Sequence, residues 1–92
     1  MTTKAILEEL EESYPEALTA DGFDDAIVGV VERCSQATVV CYDYQKCVAI
    51  LMKRDKMSRE EAEEFLNFNT VGAWVGENTP AFLHYWRKNG LS

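Results

Sequence analysis

The chain has 92 residues, of which 47% are hydrophobic and 11% aromatic, and its formal net charge is −7. This length suits one domain, and the aromatic content is that of a folding chain rather than a disordered one. No apolar run approaches the roughly 20 residues that span a bilayer, and the first residues lead into an acidic segment rather than a secretory signal. The three cysteines are an odd number, which is atypical of a secreted disulfide framework. We therefore expect a cytosolic protein with no membrane partner.

The negative charge is concentrated in the first quarter of the chain. Residues 1–25 carry one lysine and eight carboxylates, a net charge of −7, whereas residues 26–92 carry equal numbers of acids and bases. The eight acidic residues are Glu8, Glu9, Glu11, Glu12, Glu16, Asp21, Asp24 and Asp25. We divide the single domain into an acidic segment (1–25), an α+β body (26–86) and a polar tail (87–92).

The acidic segment begins with a predicted amphipathic helix over residues 3–14. Ile6, Leu10 and Tyr14 recur at four-residue intervals, with glutamates on the opposite face. The proline that follows ends this helix, and residues 19–25 predict a loop because Asp-Gly is a turn signal.

Two strands are predicted next, over residues 26–33 and 38–42, because both segments are rich in β-branched residues. The four residues between them suit a short hairpin loop. Both segments are apolar with little alternation, which indicates a sheet covered by helices on at least one face.

Two helices follow the second strand. Asp43 is the predicted N-cap of a helix over residues 44–55. The core stripe of this helix is predicted to be Tyr44, Cys47, Val48 and Leu51. Ser58 and Glu61 match the capping-box pattern at the start of the next helix. That helix should end near Gly76, and its period places Ala62, Phe65, Leu66, Asn69 and Ala73 on one face.

Residues 81–86 predict a third strand, and residues 87–92 a frayed tail. The predicted order is α-β-β-α-α-β. The expected fold class is α+β, with a small antiparallel sheet of about three strands packed against three helices.

Three segments carry a family resemblance: DGFDDAIVGV, YDYQKCVAILMKRDKMSREEAEEFLNFN and GAWVGENTPAF. They resemble small uncharacterised proteins encoded by tailed phages and prophages, over roughly residues 21–83. The resemblance implies action in the cytosol of a host bacterium. It implies no catalytic residue and no cofactor.

A metal site is the first chemical candidate. Cys34, Cys41, Cys47 and His84 could formally ligate zinc, but the cysteines lack the close pairing typical of structural sites. Cys41 and Cys47 lie in apolar surroundings, where a thiol behaves as a small hydrophobe. The acidic loop lacks the EF-hand pattern for calcium. We expect no metal and no cofactor.

Catalysis and nucleic-acid binding are also disfavoured. No phosphate-binding glycine loop or nucleophile elbow occurs, and cysteine catalysis would need a base close to the thiol. A basic cluster, Lys53, Arg54, Lys56 and Arg59, lies where a helix C-terminus favours cations. The sequence pI of about 4.6 is far from that of a typical nucleic-acid-binding domain.

Segment 72–80, which contains Gly72 and Gly76, has the most unusual sequence in the chain. We interpret it as a helix C-cap with Trp74 buried beneath the sheet. The alternative is a recognition loop.

The leading functional hypothesis is a non-enzymatic interaction protein that binds and inhibits or modulates a host or phage protein complex. Its eight N-terminal acids would contact the partner, with mimicry of nucleic-acid phosphates as one mechanism. An acidic helix that only confers solubility is the plain alternative. A second class is a small-ligand or nucleotide-binding domain, whose pocket would be lined by Tyr42, Tyr44, Trp74, His84 and Trp86. A third is a homodimer or other homo-oligomer formed through an edge strand with Phe82, Tyr85 and Trp86.

Overall fold

A computed structural model describes residues 2–86, and the predicted tail lies outside them. Its elements are α1 (Thr3–Ser13), a 3₁₀ turn (Asp24–Ala26), β1 (Ile27–Val31), β2 (Val39–Asp43), α2 (Tyr44–Arg54), α3 (Arg59–Asn69) and β3 (Ala81–Leu83). The α+β class and the order of helices and strands are confirmed. The third strand is shorter than predicted.

Side-chain caps define where α2 and α3 begin. Asp43 accepts a hydrogen bond from the backbone N–H of Lys46 at 3.1 Å. Ser58 Oγ accepts from the N–H of Glu61 at 3.1 Å, and the Glu61 carboxylate accepts from the N–H of Ser58 at 2.8 Å. Each bond satisfies an N–H group that the helix itself leaves unpaired. Both predicted caps are confirmed.

The core lies between the sheet and the helices, with β2 as the central strand. All five residues of β2 are buried. The predicted stripe of α2 is buried, as are Ala62 and Leu66 of α3. The other residues of the predicted α3 face, Phe65, Asn69 and Ala73, are exposed. The largest fully buried side chains include Tyr42, Leu51, Leu66 and Val40.

The sheet is mixed, so the predicted wholly antiparallel pairing is wrong for one pair. β1 and β2 pair antiparallel across their hairpin, but β3 pairs parallel with β2, with Cys41 opposite Ala81. A parallel pair requires a long crossover connection. Here α2, α3 and segment 70–80 supply it, and Asn78 of that segment lines a shallow pocket with Ala37 and Thr38, which directly precede β2.

The return of the chain along segment 70–80 also explains why α3 ends at Asn69 and not near Gly76. The N–H of Val71 donates to the Leu66 carbonyl at 2.7 Å, which closes a wider turn than an α-helix uses. Gly72 then folds back onto the helix end, where a Cβ would lie 2.6 Å from the Asn67 carbonyl oxygen. Trp74, in the returning segment, is 75% exposed. The prediction that it is buried beneath the sheet is wrong.

An irregularity marks the outer strand. The register of β1 shifts between Ile27 and Gly29, and Gly29 has a φ of +154°. Val28, inside this bulge, is 44% exposed. Bulges are frequent at sheet edges, where they bend the strand.

Candidate functional site

The attachment of α1 determines where its glutamates point. Leu10 is buried, and Ile6 and Leu7 pack against the core. Thr2 caps the helix by accepting a hydrogen bond from the N–H of Ala5 at 3.1 Å. With this face on the body, the opposite face is directed to solvent.

Three glutamates form that solvent-facing surface. Glu8, Glu11 and Glu12 stand at i, i+3 and i+4, which places them together on one side of a helix. All three are exposed, and together they line one shallow depression. Within residues 2–86, neither of the two ion pairs involves an acid of the first 25 residues. We call Glu8, Glu11 and Glu12 the acidic face.

The other five predicted acids are placed elsewhere. Glu9 lies on the flank of α1, where it accepts from Ser13 Oγ at 2.7 Å, and Glu16 is exposed beyond the helix end. Asp25 accepts from Thr3 Oγ1 at 2.6 Å, near the opposite end of α1. Asp24 lies in the 3₁₀ turn, and Asp21 borders a cavity. The eight acids are therefore not one continuous strip.

The acidic loop is held to the body by Arg54. Its Nη1 donates to the Gly22 carbonyl at 3.2 Å, and its guanidinium lies 5.7 Å from the centre of the Phe23 ring. Asp55 forms an ion pair with the same guanidinium at 3.2 Å. Arg59 Nη1 donates a hydrogen bond to Gln45 Oε1 at 2.9 Å. Both arginines of the predicted basic cluster thus make contacts within the chain.

The cysteines have two different environments. Cys34 is exposed in the hairpin loop, whereas Cys41 and Cys47 are buried. Burial, with a smaller contribution from the Asp43 carboxylate, raises the pKa of Cys41 and raises that of Cys47 to about 12. A raised pKa disfavours the thiolate that nucleophilic and metal-binding cysteines need. In residues 2–86, no three His, Cys, Asp or Glu side chains are grouped as metal ligands.

The aromatic residues do not share one pocket. Tyr42 is fully buried, and Tyr44 packs its ring 4.3 Å from that of His84 while its hydroxyl donates to Asn67 at 3.0 Å. Trp74 and Trp86 are largely exposed instead. The predicted aromatic set is thus divided between core and surface.

Two concave features were not predicted from the sequence. The first, which we call the loop cavity, has a volume of about 380 Å³ and lies between segment 18–23, the end of α3 and Phe82. The second is a groove of about 430 Å³ between α1 and β1. Both form between segments distant in the chain, so no local pattern indicates them.

No family model, curated protein or solved structure matches this chain at a significant level. None of the described helices has the length and apolar character needed to traverse a lipid bilayer. Support for the candidate site therefore comes from the geometry of this chain alone.

Proposed function

We propose that this chain is a non-enzymatic interaction protein whose acidic face binds a basic surface of another macromolecule and blocks or modulates it. The observation that carries the proposal is the acidic face itself. Three exposed carboxylates lie side by side, with no ion pair to the described part of the chain. The resemblance to phage-encoded proteins favours a host or defence protein complex as the partner.

The charge density of α1 supports this proposal. Glu8, Glu11 and Glu12 span about 6 Å of helix axis, about one charge per 2 Å. Duplex DNA carries one phosphate charge per about 1.7 Å of axis. Over one helical turn, α1 therefore offers a basic groove a charge density similar to that of nucleic acid. A partner groove that binds phosphates would attract it by the same long-range field.

The distribution of charge over the whole chain also favours a directed interaction. Residues 26–92 are neutral overall, so the whole net charge of −7 comes from the segment that contains α1. A charge concentrated on one side orients a partner during encounter and raises the association rate. A merely solubilising surface has no need of this asymmetry.

Capture from a bacterial lysate tests the proposal. The tagged chain is compared with a variant carrying Glu8→Gln, Glu11→Gln and Glu12→Gln. A control variant carries Glu60→Gln, Glu64→Gln and Glu77→Gln, which remove the same charge from the body. We expect one basic partner to be retained by wild type and control and lost by the first variant. Equal retention by all three would contradict a role for the acidic face.

A second candidate function, small-ligand binding, is favoured by the loop cavity. Its volume of about 380 Å³ lies within the range of ligand sites, and Phe23, Val75 and Phe82 give it apolar walls. Thermal-shift screening with nucleotides tests this, because a bound ligand raises the melting temperature as its concentration rises. Absence of any shift at millimolar nucleotide would reject nucleotide binding.

A further inference from the structure

The groove between α1 and β1 follows the outer edge of the sheet. Its lining residues are Ile6, Glu9, Leu10 and Tyr14 from the helical side and Ile27, Val28, Gly29 and Val30 from the strand. Gly29 has no side chain, so the groove reaches the main chain of β1 at the bulge.

This edge has a free backbone. β1 pairs with β2 on one side, and among residues 2–86 no strand pairs with its other side. Unpaired N–H and C=O groups of an edge strand can accept an extended peptide as an additional strand. The bulge disturbs the ladder at Val28, whereas Val30 and Val31 keep regular antiparallel pairing with β2. Of these two residues only Val30 lines the groove, together with residues 27–29 at the bulge.

Charge determines which occupant fits. Glu9 is the charged residue that lines the groove, whereas Asp25 and Glu32 flank β1 along the chain and do not line it. All three are exposed. A second copy of this chain would bring the same acids together, and each copy carries a net charge of −7. A basic segment is electrostatically complementary instead.

We propose that the groove binds an extended segment of a partner protein in which apolar residues alternate with Lys or Arg, added to the edge of β1. Its apolar side chains would contact Leu10, Val28 and Val30, and its cations would meet Glu9. The inference rests on the proposed function, because the same acidic helix forms one wall. It adds the conformation and the sequence pattern of the bound segment.

Two labelled probe peptides of about eight residues, an ordinary strand length, test the pattern. One alternates Lys with Val and the other alternates Lys with Gly, so that their charge is equal. Binding to the full chain is followed by fluorescence anisotropy and by amide chemical shifts. We expect the Lys–Val peptide to shift the amides of residues 28–31 and to bind at least about tenfold more tightly, because its valines are buried. Equal affinity of the two peptides, or no binding, would overturn the proposal.

Backbone pairing is tested on the unaltered protein with N-methylated peptides. Two versions of the Lys–Val peptide carry N-methyl groups on all valines or on all lysines, and each version lacks the N–H donors of one peptide edge. At least one should bind about tenfold more weakly, because a strand pairs through one edge at a time. If both bind like the parent peptide, strand addition is wrong.

The substitution Val28→Asp distinguishes binding in the groove from general electrostatic attraction between the basic peptide and the carboxylates of the chain. It adds a negative charge, so simple attraction would strengthen the binding of a basic peptide, whereas loss of the apolar contact should weaken it about tenfold. Stronger binding by this variant would overturn the proposal. If the variant does not fold, the N-methylated peptides decide. If the peptides do not bind but the acidic-face variant still loses its captured partner, the inference about the groove is wrong and the proposed function is retained.

Discussion

The hydroxyl oxygen of Tyr42 accepts a hydrogen bond from the backbone N–H of Ala20 at 2.6 Å. Tyr42 is fully buried in the central strand, and Ala20 lies in the segment that joins α1 to β1. This bond, with the contact of Arg54 to Gly22, attaches the acidic segment to the body. The orientation of the acidic face therefore depends on the core of the sheet.

Tyr42→Phe should destabilise the protein by about 1–2 kcal/mol, because it leaves the partly buried N–H of Ala20 without its acceptor. Urea unfolding followed by circular dichroism measures the change. Tyr85→Phe is the matched control, since Tyr85 is about half exposed. An equal effect of the two substitutions would show that the bond to Ala20 does not contribute.

Stability should fall above about pH 9. Burial raises the pKa of Cys47 from 9.0 to about 12, and burial raises the pKa of Tyr42 from 10.0 to about 12. Both groups stay protonated in the folded state after the unfolded chain has lost those protons, so rising pH favours unfolding. The stabilisation that these two protonated groups give the folded state is complete below pH 9 and is lost progressively towards pH 12. Between pH 10 and 12, Tyr42 alone should account for a loss on the order of 2 kcal/mol.

The free energy of unfolding in urea, measured from pH 8 to about pH 11, tests this pH dependence. Tyr42→Phe should reduce its slope relative to wild type. An unchanged slope in Tyr42→Phe would show that this hydroxyl does not titrate differently in the two states.

Thiol reactivity should divide the cysteines into two groups. Cys34 is exposed, whereas Cys41 and Cys47 are buried. We expect a thiol-specific colorimetric reagent to modify one cysteine per folded chain rapidly and all three in denaturant. Cys34→Ser should remove the rapid phase. Rapid reaction of two or three thiols in the folded protein would contradict the burial of Cys41 and Cys47.

Gly22→Ala should cost about 1–2 kcal/mol, because the φ of +87° at this position strains any residue with a Cβ. The new methyl would also lie 2.6 Å from Arg54 Nη1, although the end of that side chain can move. In an Arg54→Ala background, most of the cost should remain, since backbone strain persists. Disappearance of the cost in that background would assign it to the contact with Arg54.

The elements predicted well from the sequence are those encoded by neighbouring residues. The caps at Asp43 and Ser58 and the stripe of α2 depend on spacings of three or four positions, so the pattern alone indicates them. The acidic face could also be predicted, because the positions of Glu8 and Glu12 on a helix follow from its period.

The features that were mispredicted or missed depend on the path of the chain through space. The direction of β3 follows from segment 70–80, which crosses back to the start of β2 and carries Trp74 to the surface. No residue in that segment indicates its route in advance. The α1–β1 groove likewise depends on where the helix packs. The family resemblance and the nature of the partner stay predictions.

The measurement that tests the central claim most directly is the association rate of the chain with its captured partner as ionic strength is varied. Wild type, the acidic-face variant and the Glu60, Glu64 and Glu77 control should be compared from about 50 to 300 mM salt, where the screening length shortens markedly. We predict that salt slows wild type and control steeply and that the acidic-face variant associates slowly with a shallow salt dependence. Three superimposable curves would contradict the claim that Glu8, Glu11 and Glu12 bind the partner.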